Sequence, residues 1–305
     1  MFALLCTCAL CACGASTRAD KGTGTAATGY NEAILAVHPA AFWDVSAAAI
    51  SEPDLSGNGH TGTYRGGLSG RATLPDGEPA ADFNAGSRYG QYLTMPSSPV
   101  FSIATTRELT FEAWIRPDAL SFGAHANPNG EGYLAWMGKC ESYSPSCEWE
   151  ARMYSAVNPQ RRCSRISAYV FNSTGGLGSG ADWQPQCGKL RAGSWLYVVG
   201  EYQTRTTPSG CQASYPGTID IWVDGVKQDF ALHMPTGCMS QYRVVPTAGG
   251  SPVNIGTMAR DSWFPGAIGK VAIYDTLLTQ TQIDEHYRAM TGKEPSGRCA
   301  DTCNL

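Results

Sequence analysis

The stretch Leu109-Thr-Phe-Glu-Ala-Trp-Ile-Arg-Pro117 decides the fold class, because its apolar and polar residues alternate with a period of two. The apolar face consists of Phe111, Ala113 and Ile115. The opposite, mixed face consists of Glu112, Trp114 and Arg116. The alternation predicts a β-strand at residues 108–116.

Short runs with similar alternation occur on both sides of this strand, separated by Gly, Pro, Asn and Asp. The clearest are at residues 41–45, 132–137, 149–154, 165–171, 195–202, 218–223 and 268–274, with weaker ones at 62–65, 81–83, 92–95 and 252–256. About a dozen strands without a repeat period predict an all-β, two-sheet antiparallel sandwich.

One helix is predicted near the end of the chain, at residues 279–290. Thr279 is a capping residue with Gln282 three positions later, and Gly292 follows the last turn. Ile283, Tyr287 and Met290 repeat on one face, which we expect to pack against the sandwich.

Composition agrees with a turn-rich β protein. Of 305 residues, 35 are Gly and 18 are Pro, whereas charged residues make up only 16%. The net charge is −4 and the chain has no basic run, which argues against a nucleic-acid partner.

The first residues predict export. Residues 1–15 are apolar and too short to span a bilayer, so they are interpreted as a signal peptide. Leu10-Cys-Ala-Cys13 resembles a bacterial lipobox, which makes Cys13 a candidate for lipidation and leaves free secretion as the alternative. Residues 16–32 are predicted to be a flexible tether, 33–291 one domain, and 292–305 a cysteine-containing tail.

Eight cysteines follow the leader, and an even number in an exported chain predicts disulfides. They are Cys140, Cys147, Cys163, Cys187, Cys211, Cys238, Cys299 and Cys303. Cys140 and Cys147 bracket a loop between two predicted strands and could clip a hairpin, and Cys211 and Cys238 bracket residues 218–229. Structural zinc is less favoured, because the chain has no CxxC pair and its histidines lie away from the cysteines.

Five segments, in order, resemble the laminin-G-like group of concanavalin-A-like jelly rolls in its bacterial form. They are Ala41–Asp44, the loop Asp54–Tyr64, Leu109–Pro117, Gly193–Val199 with Ile219–Val226, and Ile255 to the helix at Thr279. The chain departs from the family pattern where Gly269-Lys270 replaces an acidic pair and where Tyr197 replaces a histidine. The resemblance implies a jelly roll that binds a ligand, and by itself it implies no enzyme.

The loop at Asp54 is a candidate calcium site. Asp54 and Asn58 offer a carboxylate and an amide oxygen on a glycine-kinked loop, and hard oxygen ligands suit Ca²⁺. The alternative is an Asx turn that only stabilises the loop itself. Loss of the family's acids at residues 269–270 weakens the calcium interpretation.

Tryptophans are the candidate ligand-binding residues, because a sugar ring stacks on an aromatic plane. Trp114 and Trp222 lie on mixed strand faces, whereas Trp149, Trp183 and Trp263 lie nearer loops, where we expect more exposure. For each, core packing is the competing interpretation.

Catalysis has little support in the sequence. Glu148 and Glu150 share one strand face, but a third acid of the glycosidase pattern is missing, so no catalytic residue is predicted. The sequence therefore favours a secreted or surface-anchored recognition module for glycan or polysaccharide. A protein-binding or structural module of the cell surface is the alternative, and a polysaccharide-degrading enzyme is the third interpretation.

Overall fold

The structure is a computed structural model. The residues it describes are 29–68, 70–83, 90–122, 132–141, 147–171, 178–186, 188–204, 217–228, 246, 248–258, 260 and 262–296. Outside them lie the predicted signal peptide with Cys13, residues 16–28 of the predicted tether, and Cys187, Cys211, Cys238, Cys299 and Cys303.

Strands dominate the described residues. They are β1 (Ala41–Trp43), β2 (Ser51–Glu52), β3 (Gly62–Arg65), β4 (Gly70–Thr73), β5 (Pro79–Asp82), β6 (Tyr92–Met95), β7 (Glu108–Pro117), β8 (Tyr133–Lys139), β9 (Trp149–Tyr154), β10 (Ile166–Val170), β11 (Ser179–Trp183), β12 (Leu196–Gln203), β13 (Thr218–Val223), β14 (Val226–Gln228), β15 (Val253–Ile255), β16 (Thr257–Met258), β17 (Ser262–Trp263) and β18 (Gly266–Tyr274). The helices are α1 (Tyr30–Ala36), α2 (Ile103–Thr106) and α3 (Gln280–Thr291), and a 3₁₀ turn lies at Pro99–Phe101.

The strands form two large antiparallel sheets. Sheet 1 has the order β14-β13-β12-β7-β18-β5-β4, with β1 also paired to β18. Sheet 2 has the order β11-β10-β9-β8-β15-β6-β3-β2. The short hairpin β16–β17 packs on β8, where Ser262 Oγ bonds both the amide and the carbonyl of Ala135. The predicted two-sheet sandwich is confirmed.

The core lies between the two sheets and follows the predicted alternation. Phe111, Ala113 and Ile115 of β7 point into it and are fully buried. The sheets approach closely at Gly200 of β12, where a Cβ atom would lie 2.9 Å from Cβ of Ala168 in sheet 2 and 2.4 Å from the ring of Phe111 on the neighbouring strand β7. A glycine at this position lets the large Phe111 side chain fill the layer between the sheets.

The predicted C-terminal helix is confirmed as α3. The Thr279 hydroxyl accepts from the Gln282 amide, and the Gln282 side chain accepts from the Thr279 amide at 2.7 Å, which completes a capping box. Gly292 ends the helix with a φ of 67°, in the left-handed region that glycine adopts without strain.

Two helices that the sequence did not predict, α1 and α2, also occur. The predicted tether at residues 16–32 conflicts with α1, because Tyr30 is a buried helical residue and contacts the domain. The folded unit therefore begins at least three residues before residue 33. No helix in the described ranges has the length and apolar character needed to span a bilayer.

Candidate binding site

The outer face of sheet 1 is covered by helices, which corrects the prediction that Trp114 and Trp222 bind a ligand. Trp114 is 2% exposed and stacks on Tyr197 and Tyr287, with ring centroids 5.3 and 6.0 Å away. Trp222 is 5% exposed, and its indole nitrogen donates to Gln280 of α3 at 2.9 Å. The mixed strand faces pack against α3 and leave neither indole open to a sugar.

A buried carboxylate fixes α3 to the same face. Glu112 accepts hydrogen bonds from the hydroxyls of Tyr197 and Tyr274, and it lies 3.1 Å from Nδ1 of His286 on α3. Burial, the largest single effect, lowers the pKa of His286, but the Glu112 charge, the hydrogen bond to Glu112 and the Ala33 backbone together outweigh it, and the net pKa is raised. The mixed face thus holds a structural polar cluster.

Trp149 lies next to a loop, at the start of β9, but the exposure expected from that position is wrong. Its side chain is fully buried on β9, where it stacks on Phe111 with centroids 5.8 Å apart. Its indole nitrogen donates to the Phe101 carbonyl at 2.9 Å, which satisfies the one polar atom of the ring. Trp149 is therefore a core residue with no open ring face.

The two acids with glycosidase-like spacing are buried and engaged on the outer face of sheet 2. Glu148 accepts from the Ser102 hydroxyl and the Ala104 amide, both at 2.9 Å, and lies 3.7 Å from Lys139 Nζ. Glu150 forms an ion pair with Arg152. Both acids are inaccessible to solvent, so a polysaccharide does not reach them in this arrangement.

Arg152 itself lies among aromatic rings. Its guanidinium carbon is 3.6 Å from the Tyr169 ring centroid and 4.7 Å from that of Tyr133. Cation–π attraction of this kind stabilises a desolvated arginine. The side chain is 7% exposed and serves the packing of this face.

The residues at Asp54 do not fit a calcium ion. Both carboxylate oxygens of Asp54 accept hydrogen bonds, from the amides of Phe42, Ser56 and His60 at 2.9–3.0 Å and from the Ser56 hydroxyl at 2.6 Å. Burial acts to raise the pKa of Asp54, but these hydrogen bonds outweigh it and lower the pKa. Asn58 turns its amide nitrogen inward and donates to the carbonyls of Pro39 and Ala40.

The groups around Asp54 are N–H and O–H donors, whereas a calcium ion would need further oxygen ligands at these positions. Within the described ranges, no group of three or more His, Cys, Asp or Glu residues is placed to hold a metal ion. The geometry matches the alternative interpretation of this loop as an Asx-type turn.

The predicted clip between Cys140 and Cys147 is confirmed as a disulfide that closes the β8–β9 hairpin. Cys163 is also disulfide-bonded.

Trp263 and Trp183 are the predicted tryptophans that keep partial exposure. Trp263 lies on the β16–β17 hairpin against Tyr92, with centroids 6.1 Å apart. Trp183 ends β11 at the edge of the sandwich and packs partly against the core. Of the two, Trp183 lines a cleft.

The cleft has a volume of about 310 Å³ and lies between Trp183 and a second half-buried tryptophan, Trp195. Buried Leu190 and Leu196 line its base. The polar and charged lining residues are Lys189, Arg191, Ser194 and Asp224. We call this feature the Trp183–Trp195 cleft.

Trp195 has a fixed orientation. Its indole nitrogen donates to the Thr73 carbonyl at 2.8 Å, and the Arg116 guanidinium carbon lies 5.6 Å from its ring centroid. Arg116 is itself held by Asp118, with bonds of 2.8 and 3.0 Å. A ring that is fixed before binding loses little entropy when a ligand stacks on it.

Trp195, Lys189 and Arg191 were not predicted from the sequence to belong to a site. A signal was present, because Trp195 is the first residue of a predicted strand, next to the turn at Gly193, where side chains often remain half exposed. That Trp183 lies nearby follows only from how the two sheets pack, since Trp183 is on the edge strand β11 of sheet 2 and Trp195 precedes β12 of sheet 1.

A family model, Laminin_G_3, described as the Concanavalin A-like lectin/glucanases superfamily, matches residues 86–284. No curated protein sequence shows a match.

Several solved structures share the fold at low sequence identity. The receptor-binding domain of botulinum neurotoxin type G is 9% identical with a TM-score of 0.55, and the alignment covers 82% of this chain and 51% of that one. The binding domain of botulinum neurotoxin DC, solved with rat synaptotagmin II, is 10% identical with a TM-score of 0.56 and coverages of 84% and 52%. The chain thus spans about half the length of these toxin domains.

Domain 4 of AbnA, a GH43 extracellular arabinanase from Geobacillus stearothermophilus solved with arabinotriose, is 18% identical with a TM-score of 0.50. The alignment covers 82% of this chain and 98% of that domain. The family match and these likenesses confirm the predicted jelly-roll sandwich.

Proposed function

Because the chain belongs to the Concanavalin A-like lectin/glucanases superfamily, we propose that it is a non-catalytic recognition module that binds glycan or polysaccharide. The observation that carries the proposal is the Trp183–Trp195 cleft, which is lined by two half-buried indoles, two buried leucines and the exposed cations Lys189 and Arg191. Its volume of about 310 Å³ is at the lower end of the range for small-molecule pockets.

The chemistry of the cleft suits a sugar. A pyranose or furanose ring has apolar C–H faces that stack on an indole, and hydroxyls at its edge that need hydrogen-bond partners. Ser194 supplies a hydroxyl beside the tryptophans, and Lys189 and Arg191 add donors.

The burial and ion pairing of the acidic residues support a role in binding without cleavage. Glycoside hydrolysis needs two carboxyl groups facing the substrate, about 5–9.5 Å apart. Glu148 and Glu150, the pair with strand spacing, are buried and engaged by Lys139 and Arg152. Asp224 is the one acidic residue among the described residues that line the cleft, so these residues offer no pair of carboxyl groups.

Structures of the same fold support a sugar as one class of ligand and a protein as another. The AbnA domain was solved with arabinotriose and the neurotoxin DC domain with rat synaptotagmin II. The paired tryptophans favour the sugar for this chain.

We also propose that the protein is exported, either free or lipid-anchored through Cys13. The apolar first 15 residues and the Cys140–Cys147 disulfide support export. Tryptic peptide 140–152, taken from the native protein without reduction, should resist alkylation at both cysteines. Two alkylated thiols in that peptide would contradict this proposal.

The function is tested by a glycan array followed by calorimetric titration of the best oligosaccharide. Trp183→Ala and Trp195→Ala should each weaken binding at least about ten-fold, because each removes a stacking surface. Trp263→Ala is the matched control, since Trp263 is also half-buried but lies outside the cleft. It should bind like the wild type.

Trp183 packs against the core, so thermal melts accompany each titration, and Trp183→Phe keeps an aromatic ring if Trp183→Ala unfolds. If no glycan binds, or if the control loses as much affinity as the cleft variants, the glycan role is wrong. The alternative of a protein partner would then take its place.

A further inference from the structure

The rim of the Trp183–Trp195 cleft carries two cations that are free to meet a ligand. Lys189 and Arg191 are exposed, and neither forms an ion pair with an acid of the described residues. The chain as a whole carries 26 acidic and 22 basic residues, so these two cations lie on a protein of slightly negative net charge.

The acid in the cleft does little to neutralise them. Asp224 is committed to the β13–β14 turn, where its carboxylate accepts from the Tyr197 amide at 3.0 Å and its own amide donates to the Tyr197 carbonyl at 2.8 Å. Burial raises the pKa of Asp224 above its usual range. Its φ of 52°, followed by Gly225, is typical of the tight turn that joins two such strands.

The nearby Arg116 has a different role. Two bonds to Asp118 and a 3.4 Å contact with Asp82 occupy its guanidinium. Arg116 therefore orients Trp195, and Lys189 and Arg191 remain as the cations available at the rim.

Backbone hydrogen bonds hold the segment that carries these cations. The Gly193 amide donates to the Pro117 carbonyl at 2.8 Å, and the Lys189 amide donates to the Gln186 carbonyl at 2.9 Å. The two charges are thus presented from a formed loop beside the two indoles.

Resting on the proposed function, we infer that the cleft binds an anionic glycan, with a sugar ring against the tryptophans and a carboxylate or sulfate group against Lys189 and Arg191. A guanidinium suits both anions, because it donates two parallel hydrogen bonds to either. A neutral sugar would leave both cations without a partner.

The test uses four probes on the full chain: an oligogalacturonide, a heparin-derived oligosaccharide, a neutral cello-oligosaccharide and a poly-glutamate peptide. One or both anionic glycans should bind at least about ten-fold more tightly than the neutral one, and the stronger of the two distinguishes carboxylate from sulfate. Binding should weaken as salt rises, because ions screen an exposed charge pair.

The double variant Lys189→Gln, Arg191→Gln should reduce anionic-glycan affinity at least about ten-fold and flatten its salt dependence. The double variant Arg288→Gln, Lys293→Gln removes two exposed cations elsewhere and should bind like the wild type.

Equal binding of neutral and anionic glycans, with loss only in the tryptophan variants, would overturn the anionic class and leave the glycan role standing. Binding of poly-glutamate as tight as that of the glycans would also overturn the anionic-glycan inference. Failure of every sugar to bind would overturn the function itself.

Discussion

Glu201 of β12 is a buried acid that faces another acid across the sheet. Its side chain is 6% exposed, it pairs in register with Asp220, and it accepts from the Leu278 amide at 2.9 Å. Burial, with the Asp220 charge adding to it, raises the pKa of Glu201 from 4.5 to about 8. The folded state therefore holds a proton that the unfolded state releases between these two values.

Glu201→Gln should stabilise the protein at pH 8 and change little at pH 5. In the wild type, the stability from this group is present below about pH 4.5 and is lost as the pH rises toward 8, at about 1.4 kcal/mol per pH unit. Glutamine keeps the acceptor for Leu278 and carries no charge. Urea unfolding from pH 5 to 8 measures the difference, with Glu285→Gln on the exposed side of α3 as control. Parallel wild-type and variant curves would contradict the assignment.

Among the elements, the β8–β9 hairpin depends on its disulfide. Its loop is closed by a bond between residues seven apart, and a closed loop of this length restricts the unfolded chain by about 2–3 kcal/mol. The double variant Cys140→Ala, Cys147→Ala should lose about that much unfolding free energy in urea. The single variant Cys140→Ala should lose a similar amount, because either change opens the loop. A loss below about 0.5 kcal/mol, the usual effect of a surface change, would show that the clip does not stabilise the fold.

Strands were predictable from sequence where apolar residues that face the core alternate with polar residues. Binding surfaces were not predictable in this way. Residues 108–117 reveal their core face, since Phe111 and Ile115 are apolar while Glu112 is not. The same pattern does not say what covers the other face, so Trp114 and Trp222 were interpreted as ligand platforms although α3 buries them. The cleft could not be predicted for a different reason: Trp183 lies on the edge strand β11 of sheet 2, whereas Trp195 precedes the interior strand β12 of sheet 1, and strand alternation does not predict that the two meet.

At the scale of the whole molecule, the first and last described helices meet on sheet 1. Tyr30 of α1 packs edge-on against His286 of α3, with ring centroids 6.5 Å apart. The Asn31 side chain donates a hydrogen bond to the Asp44 carboxylate at 3.0 Å and accepts one from Lys270 Nζ at 2.8 Å. Lys270 stands where the family carries an acid, so this departure from the family pattern ties α1 to β18.

The start of the folded unit can therefore be tested with two truncated chains. A chain beginning at residue 29 should unfold like the full chain, because it keeps all of α1. A chain beginning at residue 33 should lose about 3 kcal/mol or more, since it removes the buried Tyr30 ring and leaves Lys270, 2% exposed, without Asn31. Within the chain that begins at 29, Tyr30→Ala should reproduce most of that loss, whereas Leu35→Ala, on an exposed position of α1, should cost little. Equal unfolding free energies for the two truncated chains would show that residues 30–32 belong to the tether as first predicted. The packing of α1 on sheet 1 would then contribute nothing to the stability of the fold.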